Sequence, residues 1–247
     1  MKICAVILAV VLVAGGILFP KPAVAEGEPA VMDKKWHLEF TPYLWMAGIT
    51  DNVTINGNQR NIDISFDDLK DNLHMLFSFM TVAEYENMVF WAQYDLVNLG
   101  NDLATVDTVF LQGGGGWKFK GPFEGSTISA LWGVDYLYVD TTLNLPGGQV
   151  SGDTNIIDPA FFLRPSIPIF TEMFANCLRF NPTMMVGGGG DSNLIYELEP
   201  MLQYDIHKIA VRVGYRTLHY KYTFGASGNS NFSGDFAGPI VGLGIKF

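Results

Sequence analysis

The stretch that decides the fold is GPIVGLGIKF, residues 238–247, with which the sequence ends. On an extended chain, one side of this stretch carries only bulky apolar residues and the other side little bulk: Val241, Leu243, Ile245 and Phe247 against Gly242, Gly244 and Lys246. The last residues of a soluble domain are usually polar and poorly ordered. The pattern therefore predicts a final β-strand with one face in an apolar environment.

The other end of the sequence predicts export. Met1 and Lys2 precede the apolar run ICAVILAVVLVAGGILF, and AVA at residues 23–25 is the small-x-small pattern that signal peptidase cleaves. We expect residues 1–25 to be a removed signal peptide, residues 26–35 a short N-terminal segment and residues 36–247 one domain. An uncleaved N-terminal anchor is the alternative. Because Cys4 leaves with the signal, Cys177 remains alone and no intrachain disulfide can form.

Composition narrows the class of protein. Without Lys2 and Lys21, 13 of the 15 basic residues remain against 25 acidic ones, a formal charge of −12, which argues against a nucleic-acid partner. The mean hydropathy is +0.20, yet the mature sequence has no apolar run long enough for a spanning helix. Only helices and closed barrels satisfy the whole backbone in lipid, so these observations favour a transmembrane β-barrel.

Period-two alternation supports that interpretation along the whole mature chain. Ten stretches alternate apolar and polar residues, two of them in one hairpin: 36–47, 75–98, 108–120, 127–140, 156–170, 174–187, 193–205, 209–224 and 236–247. The links near Glu86, Gly121, Glu172 and His207 are short, whereas residues 48–74, 143–155 and 225–234 read as longer polar loops. We predict a closed antiparallel up-and-down barrel of about ten strands, within a range of eight to twelve because residues 53–65 could add a hairpin. Both termini would be periplasmic and the protein would lie in the bacterial outer membrane.

The two faces of the strands predict which residues line the lumen. Most charges within strands lie opposite the apolar residues, the inverse of a soluble barrel. We expect a lumenal charge network of Glu39, Asp95, Asp135, Arg179, Glu197, Glu199, Arg212 and Arg216. A soluble periplasmic sandwich with its apolar face turned inward is the alternative, since alternation alone does not identify the wet face.

A tight turn at His207–Lys208 sets the register of the strands on either side. Opposing Ile206 and Ile209 makes paired residue numbers sum to 415 and places Glu199 opposite Arg216. We therefore predict a Glu199–Arg216 ion pair, with Arg212 reaching diagonally to Asp205 or Gln203, and a narrow or closed lumen.

Four motifs are PYLW at 42–45, IDISFDDL at 62–69, GYR at 214–216 and the GP...GLG..F ending. Together they resemble a family of poorly characterised proteobacterial outer-membrane barrels. Gly242, Ile245 and Phe247 are also similar to the C-terminal assembly signal of outer-membrane barrels, although Ile240 stands where a polar residue is usual. The resemblance implies the fold, contact with outer-membrane lipid and recognition of the last strand by the barrel assembly machinery.

Catalytic and cofactor motifs are not evident. The glycine runs 113–116 and 187–190 are not followed by a helix that could hold a phosphate, and four scattered histidines predict neither a metal site nor a cofactor. We expect a non-enzymatic barrel, either structural or a narrow channel for a small solute. The alternative is a lipid-modifying enzyme at the extracellular rim, where Asp71, His74 and His219 would lie as in omptin proteases. Residues 65–74 read as a Ser65-capped helix that covers the mouth, enters the lumen or packs on the barrel.

Overall fold

The computed structural model describes residues 36–55, 58–64, 66–67, 73–100, 104–145, 148–169, 177–224 and 230–247. These residues form fourteen β-strands. Their bounds are β1 Trp36–Trp45, β2 Gly48–Ile55, β3 Asn58–Ile64, β4 Leu73–Tyr85, β5 Met88–Gly100, β6 Ala104–Lys120, β7 Thr127–Leu145, β8 Gly148–Pro168, β9 Leu178–Phe180, β10 Thr183–Gly187, β11 Leu194–Glu199, β12 Met201–Ile206, β13 Ile209–Phe224 and β14 Ser230–Lys246. Within these ranges, no helix is both long enough and apolar enough to cross a membrane.

The strands close into an antiparallel barrel with ten strand positions, in three of which two shorter strands follow each other in line. Going round the barrel, these positions are occupied by β1 with β2, β4, β5, β6, β7, β8, β9 with β10, β11 with β12, β13, and β14. Strand β3 pairs with β2 and extends the wall at one end. Three short connections, at Glu86, residues 121–126 and His207–Lys208, lie at the other end, which we call the turn end. The predicted ten-stranded closed barrel is confirmed.

The last strand closes the barrel, as the opening stretch predicts. Strand β14 pairs with β1 through Phe40 opposite Ile245, and with β13 along its whole length. The Phe247 amide donates to the Leu38 carbonyl at 2.9 Å. The outward face of β14 is exposed and bulky, with Leu243 at 55% and Phe247 at 62% exposure. Its glycine face lies inside the barrel, where a side chain at Gly244 would collide with Glu39 and Thr41.

The wall is apolar outside, and its interior contains buried polar and charged side chains as well as a cluster of buried apolar ones. Alternate residues of β8 show this clearly: Ile157 is exposed while Asp158 is buried. At the turn end the exposed side chains include Trp36, Trp117 and Phe119, as an aromatic girdle requires. The soluble-sandwich alternative is therefore wrong, because its large apolar residues would point inward.

Three of the predicted boundaries are wrong. Within the predicted loop 143–155, residues 143–145 belong to β7 and residues 148–155 to β8. Strand β14 likewise begins at Ser230, within the predicted loop 225–234. Polar residues continue a strand wherever both faces of a hairpin are wet, so polarity alone misplaced these ends. The extra hairpin predicted at 53–65 exists, but it starts earlier, at Gly48.

Pro200 interrupts one strand of the barrel without breaking the wall. Because Pro200 has no N–H, β11 ends at Glu199 and β12 begins at Met201, yet the Pro200 carbonyl still accepts from the Tyr215 amide at 3.1 Å.

The predicted helix at 65–74 is helical at 66–67, and its predicted end is wrong because β4 begins at Leu73. Ser65 and residues 68–72 lie outside the described part, as do residues 1–35 with the predicted signal peptide.

Candidate functional site

Arg216 lies at the centre of the lumen. Even-numbered residues of β13 face inward, and Arg216 is 0% exposed. Its Nη1 donates to Asp95 Oδ2 at 2.7 Å, its Nε donates to Glu197 Oε2 at 2.9 Å, and its Nη2 donates to Gln112 Oε1 at 2.9 Å. The guanidinium also lies 4.3 Å from the ring centre of Trp45, within cation–π range. These partners come from β1, β5, β6 and β11, so a single side chain links strands from across the barrel.

Polar side chains on neighbouring strands extend these contacts into a layer. Gln112 donates from Nε2 to Asp135 at 2.8 Å and to Glu197 at 2.9 Å, and Tyr220 donates to Asp135 at 2.7 Å. On the other side, Tyr43 donates to Asp95 at 2.7 Å and Gln93 donates to Glu199 at 3.1 Å. We call this set the Arg216 layer: Tyr43, Gln93, Asp95, Gln112, Asp135, Glu197, Glu199, Arg216 and Tyr220.

The layer is dense and strongly acidic. Four carboxylates, those of Asp95, Asp135, Glu197 and Glu199, face one guanidinium, and each of these acids is at most 3% exposed. A buried carboxylate is costly unless hydrogen bonds satisfy it, and here amides and phenols supply them alongside Arg216. The layer therefore fills the lumen at mid-height with interlocked side chains.

A polar cavity of about 410 Å³ lies between the layer and the turn end. Its wall contains three ion pairs: Lys118–Glu84, Arg212–Glu39 at 2.6 Å and Lys246–Asp205 at 2.6 Å. Two further arginines, Arg164 and Arg179, also line it. We call it the turn-side cavity.

A smaller apolar pocket of about 50 Å³ lies on the opposite side of the layer. Phe110 packs against Trp45 and Phe236, with ring centres 5.9 and 5.1 Å apart. Phe66, from the two helical residues, completes the lining together with aliphatic residues such as Leu76. The lumen thus changes from polar to apolar along its axis.

The structure divides the eight predicted network residues into two groups. Asp95, Asp135, Glu197, Glu199 and Arg216 lie in the Arg216 layer. Glu39, Arg179 and Arg212 line the turn-side cavity instead. Arg179 hydrogen-bonds Ser166 and the Gly125 carbonyl, so it fixes strand ends at the turn end.

The register predicted around His207 is confirmed. The partner predicted for Arg212 is wrong, because Arg212 pairs with Glu39. Gln203 pairs with Arg212 and Leu198 with Thr217, as a sum of 415 requires. Arg216 Nε lies 3.8 Å from Glu199 Oε2, farther than from its other two acids. Arg212 does not reach Asp205 or Gln203.

Sequence reasoning missed the neutral members of the layer. The predicted network does not include Gln93, Gln112 or Tyr220. Gln93 has the same strand parity as Asp95 on β5 and Tyr220 the same as Arg216 on β13, whereas Gln112 lies on β6, where no lumenal residue was predicted. Buried amides at lumenal positions were the available signal, because an amide both donates and accepts and can bridge two acids.

The rim residues proposed for catalysis do not assemble a nucleophile in the described part. His219 Nδ1 lies 2.8 Å from Asp235 Oδ1, and Tyr196 stacks on the imidazole with ring centres 4.6 Å apart. Asp71 and the side chain of His74 lie outside the part of the chain that the structure describes. Among the described residues, no group of three or more His, Cys, Asp or Glu side chains is placed to hold a metal ion.

Comparisons with known proteins identify similar barrels. No family model matches the sequence, and no curated protein matches it. Among solved structures, the outer-membrane protease OmpT of Escherichia coli matches with a TM-score of 0.48 and 7% identity, over 86% of this chain and 96% of that chain. Ail of Yersinia pestis matches with a TM-score of 0.35 and 11% identity, over 85% and 98%. The toluene transporter TodX of P. putida matches with a TM-score of 0.32 and 10% identity, over 86% of this chain and 90% of that chain. Similarity of this size says nothing about activity.

Proposed function

We propose that this chain is an outer-membrane barrel without catalytic activity, with a structural role or a narrow route for a small solute. The first support is the surface: outward-facing residues such as Leu243 are apolar and exposed on a closed barrel, an arrangement suited to lipid. An apolar outer face in water would cost about 25 cal/mol for each Å² exposed. Outer-membrane lipid is therefore the first proposed partner.

The Arg216 layer is the single observation on which the transport part of the proposal depends. Arg216, Asp95 and Asp135 are all 0% exposed, and hydrogen bonds connect them across the lumen through Gln112. A hydrated ion cannot pass without displacing several of these bonds. The resting barrel is thus closed to hydrated solutes, and transport of a small solute would require the layer to rearrange.

The strand β14 is the proposed contact with the barrel assembly machinery. Gly242 faces inward from this strand, whereas Ile245 and Phe247, the residue that follows the strand, face outward. A nucleic-acid partner is not proposed, because the net charge is negative.

A non-catalytic role is supported at the rim as well. The imidazole of His219 contacts a carboxylate and an aromatic ring, whereas a hydrolase would need a nucleophile within hydrogen-bond reach of its base. The contacts of His219 therefore do not favour the lipid-modifying alternative.

Conductance in planar bilayers tests the proposal. Purified, refolded wild-type protein is expected to give no stable single-channel steps in high salt, while a trimeric porin measured in the same bilayers gives them. Regular steps of porin size from the wild-type protein would contradict a closed lumen. Fractionation tests the location separately: recovery in the soluble periplasm would contradict the outer-membrane assignment.

A further inference from the structure

Two arginines from strands that are not neighbours in the wall converge at the turn-side cavity. Arg164 on β8 and Arg212 on β13 both line it, and both reach the sulfur of Met80: Arg164 Nη2 lies 3.7 Å and Arg212 Nη1 3.4 Å from Sδ. A thioether is a weak acceptor that carries no charge. The shared contact therefore brings two cations together without neutralising either of them.

The described carboxylates neutralise only one of the two arginines. Arg212 Nη2 pairs with Glu39 at 2.6 Å. Arg164 instead contacts neutral groups, donating from Nε to Thr183 Oγ1 at 3.3 Å and lying 5.0 Å from the ring centre of Trp91. No described carboxylate forms an ion pair with it. Arg212 is itself 5% exposed, and its Nε is buried with no hydrogen-bond partner in the described part.

The charge of the cavity is opposite to that of the protein. Five of the fifteen lysines and arginines line it, against three of the twenty-five acids, in a chain whose formal charge is −10. Cations concentrated in a concave, partly desolvated site attract anions, because low-dielectric walls focus the field. The cavity is thus a positive site within an acidic protein.

We propose that the turn-side cavity binds a phosphate-bearing small molecule, with Arg164 and Arg212 as its anion-binding residues. Guanidinium groups pair with oxyanions through parallel N–H donors. A planar carboxylate matches one such fork, whereas a tetrahedral phosphate has oxygens for two forks that arrive from different strands. The excess of two positive charges in the lining also matches a phosphate monoester near neutral pH.

The rest of the cavity has room for an organic group. Its volume of about 410 Å³ exceeds that of a phosphate ion and lies within the range of small-molecule sites. Val82 and the buried Val89 add apolar surface to its wall. The proposed ligand class is therefore a small soluble phosphate monoester.

This inference goes beyond the proposed function and does not depend on conduction. The Arg216 layer separates the cavity from the other end of the lumen, so a solute can bind from the turn end of a closed barrel. Failure of the binding experiment leaves the conductance result intact, and the reverse also holds.

Calorimetric titration of the refolded wild-type protein in detergent tests the site, with inorganic phosphate, glycerol 3-phosphate and acetate as probes at constant ionic strength. Saturable binding of either phosphate compound at about one per barrel is expected, and tighter binding of the glycerol ester would indicate an ester rather than the free ion. Absence of saturable binding by both phosphate compounds, or acetate binding as tightly as they do, would overturn the proposal.

Three variants make the assignment specific. Arg164→Gln keeps a donor for Thr183 and is expected to weaken phosphate binding roughly tenfold, the loss of one charge-assisted contact. Lys120→Gln removes a positive charge from an exposed position at the same end and is expected to leave binding unchanged. Glu39→Gln releases Arg212 and is expected to tighten binding, a gain that misfolding cannot produce. Equal affinities for Arg164→Gln and Lys120→Gln, or weaker binding by folded Glu39→Gln protein, would contradict the arginine pair.

Discussion

Arg216 Nη1 lies 2.7 Å from Asp95 Oδ2, although the two residues are 121 positions apart in the sequence. The strands β13 and β5 that carry them are not neighbours in the sheet, so the contact crosses the lumen. Asp95 also accepts from Tyr43, and Arg216 also donates to Glu197. One ion pair therefore ties together opposite walls of the barrel.

Arg216→Met is expected to destabilise the barrel severely. Methionine leaves four buried carboxylates without their only cation in the layer, and breaking a buried pair from one side costs about 3–5 kcal/mol. Urea unfolding in lipid vesicles, followed by tryptophan fluorescence, measures the change. Arg179→Met is the control: Arg179 is partly exposed and bonded to neutral groups, so its loss should cost about 1 kcal/mol. Equal losses would mean that the layer does not stabilise the fold.

Asp95→Asn is expected to cost far less than the loss of its partner. The layer has more negative than positive charge, so removing one carboxylate relieves repulsion. The amide oxygen still accepts from Arg216, and the amide nitrogen donates to the Tyr43 hydroxyl, which rotates to accept. The same unfolding assay should give a change of at most about 1 kcal/mol. A loss as large as that of Arg216→Met would show that the Asp95 charge itself is required.

The strand order and one register could be predicted because period-two alternation and a tight turn fix them. The partner of Arg212 could not be predicted, because register identifies only the neighbours on adjacent strands and this partner lies one strand farther on. Arg212 lies beside Gly242 of β14, which has no side chain, so the guanidinium passes over the glycine face of β14 and meets Glu39 on β1. Asp205, on the neighbouring strand β12, pairs with Lys246 instead.

The contacts across the lumen were also beyond sequence reasoning. Alternation assigns Asp95 and Gln112 to the inner face, but it carries no information about which inner residues meet at one height. That depends on the stagger between strands around the closed barrel. The polar composition of residues 143–155 predicts a loop, but a hairpin whose two faces both contact water needs no apolar alternation, so composition alone does not reveal the strands there.

Gly116→Ala is expected to prevent stable folding, whereas Gly152→Ala is tolerated. A Cβ at Gly116 would lie 2.0 Å from the backbone oxygen of Ala130 on the paired strand, which cannot move away as a side chain can. Such overpacking should cost at least about 3 kcal/mol. A Cβ at Gly152 has nothing within 4 Å. Heat-modifiable electrophoretic mobility of the refolded variants measures the folded fraction. A fully folded Gly116→Ala variant would contradict the close approach of β6 and β7 at this position.

Phe247→Ala is expected to reduce assembly in cells more than Phe123→Ala does. Both aromatic side chains are exposed at the turn end, at 62% and 61%, so they lose similar apolar surface on truncation. Only Phe247 belongs to the outward column of β14 that we propose the assembly machinery binds. The folded amount of each variant in outer-membrane fractions measures the difference. Equal reductions would mean that surface hydrophobicity, and not the β14 pattern, determines insertion.

Gln112→Ala is expected to open a conducting path through the Arg216 layer. Gln112 is fully buried and bridges three members of the layer: it accepts from Arg216 and donates to Asp135 and Glu197. Truncation removes the bridge and leaves acids that water can solvate, so cation-selective steps should appear in planar bilayers where the wild-type protein gives none.

Gln203→Ala is the matched control for that experiment. Gln203 is also a buried lumenal amide, but it bonds Asn181 and Asp205 on the turn-side cavity and not the layer. Its truncation should therefore leave the bilayer silent, because the barrier at Arg216 is intact. Steps of the same size from both variants would place the barrier elsewhere in the lumen, and silence from a folded Gln112→Ala variant would mean that the remaining side chains still close it.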